Sequence, residues 1–126
     1  MRHCYAVNTD TNTVVATIPV DNTPSGVAVT PDGKSAYVVN LTTNTISTIN
    51  TATNTLVNPP IQVVQRTLGD LFGIAMTPDG KFAYVTETSD GVWVNNTGTN
   101  AVVGSPIVTA TGGNTAVAVT PNGKFV

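Results

Sequence analysis

The sequence predicts an all-β fold made of repeated four-stranded antiparallel units, the blades of a β-propeller left unclosed by one chain. Three observations carry this expectation. First, 126 residues include 23 Thr, 20 Val and 13 Asn but only 4 Leu and 1 Glu, so residues suited to a pleated backbone outnumber helix formers. Second, Gly26-Val-Ala-Val-Thr-Pro-Asp-Gly-Lys34 returns as Gly73-Ile-Ala-Met-Thr-Pro-Asp-Gly-Lys81 and as Ala116-Val-Ala-Val-Thr-Pro-Asn-Gly-Lys124, at spacings of 47 and 43 residues. Periods of that size mark propeller blades or solenoid units. Third, the Pro-Asp-Gly and Pro-Asn-Gly links suit chain reversals, because Pro presets the first turn dihedral and Gly accepts a positive φ.

Element by element, the first complete unit reads as an inner strand Gly26 to Thr30, then Ser35 to Asn40, Thr45 to Asn50, and an outer strand from Thr55 to about Val63. The second reads as Phe72 to Thr77, Phe82 to Thr86, Gly91 to Asn95 and Ala101 to Val108. A second recurring phrase separates the outer strands: Thr9-Asp-Thr-Asn-Thr13 matches Thr51-Ala-Thr-Asn-Thr55 and, more loosely, Thr97-Gly-Thr-Asn-Ala101. Asn flanking each strand can bond nearby backbone and end the pairing. In the inner strands Val27, Val29, Ile74 and Met76 fall on one side, and Ala28, Thr30, Ala75 and Thr77 on the other.

Cut at these repeats, residues 1–25 are the outer half of a blade with its connection, 26–70 and 71–110 are complete blades, and 111–126 are the inner half of another. That amounts to about three blades, whereas radial closure takes four to eight. The expected partners are therefore the remaining blades of a parent protein or other copies of the chain. No apolar stretch approaches the ~20 residues of a membrane span, and no targeting signal opens the chain. A net charge of -2 with only 2 Arg argues against a nucleic-acid surface.

Together with Tyr37-Val-Val-Asn40 and Asn44-Thr-Ile-Ser-Thr-Ile-Asn50, these phrases resemble the YVTN-type β-propeller family of surface-layer and other extracytoplasmic proteins. The resemblance implies a secreted, periplasmic or cell-surface location. It does not specify an activity, since similar propellers include structural modules, binding modules, lactonase-like enzymes and subunits of larger redox enzymes. Glu87 departs from the pattern where Asn stands in Tyr37-Val-Val-Asn40, and Trp93 stands where the first unit has Ser47.

Candidate contacts lie where the repeat is broken. The count from the outer Asn to the next inner strand is 14 residues for Asn12 to Gly26, 16 for Asn100 to Ala116 and 19 for Asn54 to Gly73. The middle connection thus carries an insertion, and loops on a rigid scaffold commonly hold binding chemistry. Arg66, Asp70 and Phe72 in it are ligand-contact candidates, joined by Glu87 and Asp90 in the neighbouring connection and by Trp93. Four of these also have a packing reading: Phe72 as a core cover, Arg66 and Asp70 as an ion pair, and Trp93 as a ring between blades.

Lys34, Lys81 and Lys124 recur without the Gly-rich loop and helix that a phosphate cradle needs. His3 is the lone His and no Ser lies in a nucleophile elbow, so no catalytic residue is assigned. No cofactor is expected, apart from a divalent cation for which Asp21, Asp70 and Glu87 are weak oxygen ligands. The preferred expectation is a non-enzymatic binding or structural module presenting loops to a protein or glycan. Its alternative is part of a lactonase-like propeller enzyme with a cation near the central channel.

Overall fold

The computed structural model describes residues 2–63, 69–89, 91–109 and 113–126. Strands β1 (His3–Asn8) and β2 (Thr13–Pro19) form an antiparallel pair. β3 (Pro24–Val29), β4 (Ser35–Asn40), β5 (Thr45–Asn50) and β6 (Thr55–Gln62) then form a four-stranded sheet in sequence order. A second such sheet comprises β7 (Leu71–Met76), β8 (Phe82–Glu87), β9 (Gly91–Asn96) and β10 (Ala101–Val102). These are open, unclosed propeller blades.

The turn chemistry fixes both kinds of hairpin. In the β3–β4 turn the Thr30 hydroxyl donates to Asp32 Oδ1 at 2.6 Å, and the Lys34 N–H donates to the same oxygen at 3.0 Å. Thr77, Asp79 and Lys81 repeat this geometry, as do Thr120, Asn122 and Lys124. Gly33, Gly80 and Gly123 take φ values of 72, 72 and 69°, the left-handed region that favours glycine. On the outer side, the side chains of Asn8, Asn50 and Asn96 each accept two N–H bonds from the following turn. Thr51 and Thr97 then donate to the carbonyls of Gly33 and Gly80, tying outer turns to inner ones.

β10 stops at Val102, shorter than the strand expected to Val108. Gly104 turns the chain with φ 65°, and Pro106 has no N–H for the ladder. Pairing resumes where Ile107 and Val92 exchange N–H···O bonds of 2.8 and 3.0 Å. Among residues 113–126 the inner turn forms, with the Thr120 N–H on the Phe125 carbonyl at 2.9 Å.

Two hydrophobic clusters hold the blades together. The larger, between the two complete blades, gathers Tyr37, Val39, Ile46, Ile61, Val63, Leu71, Ile74, Ala83 and Val85. The smaller, between β1–β2 and the first complete blade, has Ile18, Val20, Val38 and Ile49 at its centre. Close approach of the inner strands depends on glycine: a Cβ on Gly26 would lie 2.6 Å from the Phe72 carbonyl oxygen. Beside it, the Ser25 hydroxyl lies within donating reach of the Leu71 and Phe72 carbonyls, at 3.2 and 3.0 Å.

The first inner strand keeps the alternation of sides, but the side that carries Val27 and Val29 is left exposed. Val27 is 57% exposed and Val29 is exposed as well, whereas Ile74 is 8% exposed. Ile74 is gathered into one cluster with Tyr37 and Val39 of the preceding blade. Among the described residues, nothing equivalent to β3 or β4 stands beside β1, so Val27 and Val29 lack that cover.

Candidate functional site

The connections leaving β4 and β8 build two corners that are equivalent by the repeat but differ in chemistry. In the first, Asn40 ends β4 fully buried. Its Nδ2 donates to Thr45 Oγ1 at 3.2 Å and to Ser47 Oγ at 2.9 Å. Thr45 in turn donates to Asp21 Oδ2 at 3.0 Å, while Asp21 Oδ1 accepts the Asn22 N–H at 2.9 Å. This network clamps the connection between β2 and β3 onto β4 and β5. Because the Thr45 hydroxyl proton goes to Asp21, Thr45 accepts from Asn40, which orients the carboxamide and leaves Asn40 Oδ1 without a partner. Thr23 nearby holds φ at 54°, a strained value for a β-branched residue.

In the second corner Glu87 takes the place of Asn40 and is 1% exposed. It pairs across the sheet with Leu71 on one side and Gly91 on the other. Its Oε1 accepts the Ser89 N–H at 3.4 Å. Gly69 backs onto this carboxylate so tightly that a Cβ there would overlap Glu87 Oε1 and sit 2.7 Å from Ser89 Oγ. Asp70 is held alongside through its backbone: its N–H donates to Thr88 Oγ1 at 3.0 Å, and its carbonyl accepts the Thr88 N–H at 3.2 Å. The end of the insertion-bearing connection and the β8–β9 connection therefore meet. They bring a buried carboxylate, Glu87, beside an exposed acidic residue, Asp70.

Phe72 and Trp93 separate from this corner. Phe72 lies in β7, half-buried, with its carbonyl contacting Ser25. Trp93 packs against the larger interblade cluster and its Nε1 has no hydrogen-bond partner. Its ring thus belongs to the interblade packing. Arg66 and Asp90 lie outside the described residues. Among the described residues no three His, Cys, Asp or Glu side chains are gathered as a metal-holding group, so Asp21, Asp70 and Glu87 do not form a shared site. The reason is topological: Asp21 is bound into the first blade's polar network, while Asp70 and Glu87 sit on the second blade.

The buried network of Asn40, Thr45, Ser47 and Asp21 was missed in the sequence, where Asn40 reads as a strand-ending turn residue. Its alignment with Glu87 across the repeat was the available signal. Between the blades, Tyr37 donates to Asn100 Oδ1 at 3.2 Å. Burial pushes its phenol above the ordinary range, and the Asp32 charge adds to the effect.

The fold and these corners define the chain as an incomplete all-β segment of propeller type. Among solved structures it is similar to Kuenenia stuttgartiensis hydrazine synthase, with 30% sequence identity and a TM-score of 0.88, over 98% of this chain and 34% of that one. The chain thus spans about a third of the solved chain it matches. No family model matches the sequence, and no curated protein does either. The likeness corrects the preferred expectation of a non-enzymatic binding or structural module. The similar chain is part of an enzyme, which supports the propeller-enzyme alternative instead. No helix of the described residues is long and apolar enough to cross a membrane.

Proposed function

We propose that this chain is a segment of a propeller-bearing enzyme assembly of the hydrazine synthase kind. The observation that carries the reading is the shared fold with 30% identity along 98% of the chain. Since the chain matches only 34% of that relative, the remaining blades and the other parts of the assembly are its proposed partners. The edge assigned to enzymatic work is the corner of Gly69, Asp70, Glu87 and Ser89. A carboxylate held at such a corner can accept hydrogen bonds from a cationic nitrogen group and orient it.

The YVTN-like phrases support the finer placement within that repeat family and an extracytoplasmic location. Fractionation of the source cells tests the location, with recovery in the cytoplasm counting against it. For the activity, the full-length protein containing these residues is purified with its co-isolating subunits and assayed for hydrazine formation and for lactone hydrolysis. Hydrazine formation that falls at least tenfold in Glu87→Gln, with the assembly mass unchanged, supports the reading. Lactone hydrolysis alone favours the lactonase-like alternative, and neither activity rejects the proposed class. Full activity in Glu87→Gln moves the chemistry away from this corner.

A further inference from the structure

Asn122 alone among the 13 Asn of the chain is followed by Gly, and it stands where the two complete blades carry Asp32 and Asp79. An Asn-Gly pair holds its own reagents. The glycine's backbone nitrogen can attack the side-chain carbonyl carbon of the asparagine before it, because a residue without a Cβ leaves the approach open. In the third inner turn both reacting groups are tied down. The Gly123 N–H donates to the Thr120 carbonyl at 2.8 Å. Asn122 Oδ1 accepts the Thr120 hydroxyl at 2.7 Å and the Lys124 N–H at 3.0 Å, and the same hydroxyl oxygen accepts the Phe125 N–H at 3.1 Å. Gly123 also lies against the preceding turn: a Cβ on it would be 3.3 Å from Pro78 Cδ, as one on Gly80 would be 3.1 Å from Pro31 Cδ. Asn122 itself is exposed, and so are Asp32 and Asp79.

We propose that Asn122 is a self-modification site gated by this turn, converting to aspartate and isoaspartate only while the turn is open. In the first step the Gly123 nitrogen bonds to Asn122 Cγ and gives up its proton, the Cγ–Nδ2 bond breaks, and Nδ2 leaves with that proton as ammonia. Water then opens the cyclic imide. Hydrolysis at the side-chain carbonyl leaves aspartate, and hydrolysis at the backbone carbonyl leaves isoaspartate; nothing is oxidised or reduced. While the turn is closed, the Gly123 nitrogen keeps its proton in the bond to Thr120, and the carboxamide is fixed toward Thr120 and Lys124. Ring closure therefore waits on local opening. The two products act in opposite ways. Aspartate gives the third turn the carboxylate that Asp32 and Asp79 give the others. Isoaspartate routes the main chain through Cγ, and the added backbone carbon breaks the spacing of the turn's hydrogen bonds. This chemistry belongs to the turn and is independent of the proposed activity.

Peptide mapping by mass spectrometry follows conversion at Asn122 in the whole chain, in mildly alkaline buffer and in the same buffer with guanidinium chloride. Conversion about tenfold slower or more in the native chain is expected, and a smaller difference overturns the proposal. Thr120→Val removes the hydroxyl from Asn122 Oδ1 and is expected to raise the native rate about threefold or more while the denatured rate stays the same. Thr120→Ser retains the hydroxyl and is expected to retain the slow native rate. A native rate that Thr120→Val leaves unchanged, or that both variants raise equally, overturns the gate. No product at Asn122 even in denaturant overturns the site. The Asn122→Asp chain checks the product: its Lys124 amide resonance is expected to move in acid, as an N–H bonded to a carboxylate does. A Lys124 resonance that stays in place overturns the match to the Asp32 and Asp79 turns.

Discussion

The two interblade interfaces start from equivalent sequence positions and end differently. Between the complete blades, Ile46 and Leu71 are fully buried in a cluster closed by Tyr37 and Val39. Between β1–β2 and the first complete blade, Cys4 takes the place of Ile46, and among the described residues no strand supplies a Tyr or Val of that kind. The same inner-strand position is consequently buried as Ile74 and exposed as Val27. Burial in a repeat architecture is thus a property of the neighbour as much as of the residue, because each unit hides its apolar face only against the next.

The sharpest way to break the comparison is to place a charge at both positions. Ile74→Asp leaves an unpaired carboxylate between blades and is expected to cost on the order of 3–5 kcal/mol. Val27→Asp in the isolated chain is expected to stay within about 0.5 kcal/mol, as surface changes do. Urea unfolding of the two variants checks this, and equal losses would mean that the first interface is already closed in solution. A milder version truncates the shared hydrophobic position. Ile46→Ala should cost about 2–5 kcal/mol through lost burial and a cavity, whereas Cys4→Ala should cost roughly 1 kcal/mol or less, because its cluster is open on one side.

Glycines test whether backbone proximity or backbone conformation matters more. Gly26→Ala brings a Cβ against the Phe72 carbonyl, where main chain must move, with an expected loss of about 1–3 kcal/mol. Gly33→Ala meets nothing within 4 Å but holds φ at 72°, for an expected loss of about 1–2 kcal/mol. Thermal melts of both rank the two effects. A neutral Gly26→Ala would show that the inner strands can separate without loss.

Much of the fold was legible because its signals are local. The Thr-Pro-Asp-Gly-Lys phrase contains its own hydrogen-bond partners, and the Asn side chains cap turns within three residues, so β4 and β5 fall at the expected bounds. The end of β10 was not legible, since the Val-rich run up to Val108 hides the effect of Gly104 and Pro106 on pairing. The exposure of Val27 also escaped the sequence, because it depends on a strand that no local pattern specifies. At the candidate site, the insertion count located the connection that carries Asp70, and the order of strands in a blade puts it on the same face as the connection after β8. The burial of Glu87 behind Gly69 needed coordinates, because a glycine packed against a carboxylate leaves no periodic trace.

The smallest expected effect comes from the three inner turns, which differ in one atom that titrates. The hydroxyl bond from Thr30, then the Lys34 N–H, holds the Asp32 carboxyl below its ordinary value; Thr77 and Lys81 do the same for Asp79. Folded values below the unfolded one mean that these turns contribute stability above the ordinary carboxylate pKa of about 3.9. That contribution is lost as pH falls through the lowered folded values. The third turn has Asn122 in the same place, accepting the Lys124 N–H at 3.0 Å, and an amide has no such transition. In an acid titration followed by amide NMR, the Lys34 and Lys81 resonances are expected to move together below about pH 3.9, while that of Lys124 stays in place. Movement of Lys124 in step with the others would show that acid loosens the blades as a whole, so that the turn carboxylates are not the groups being read.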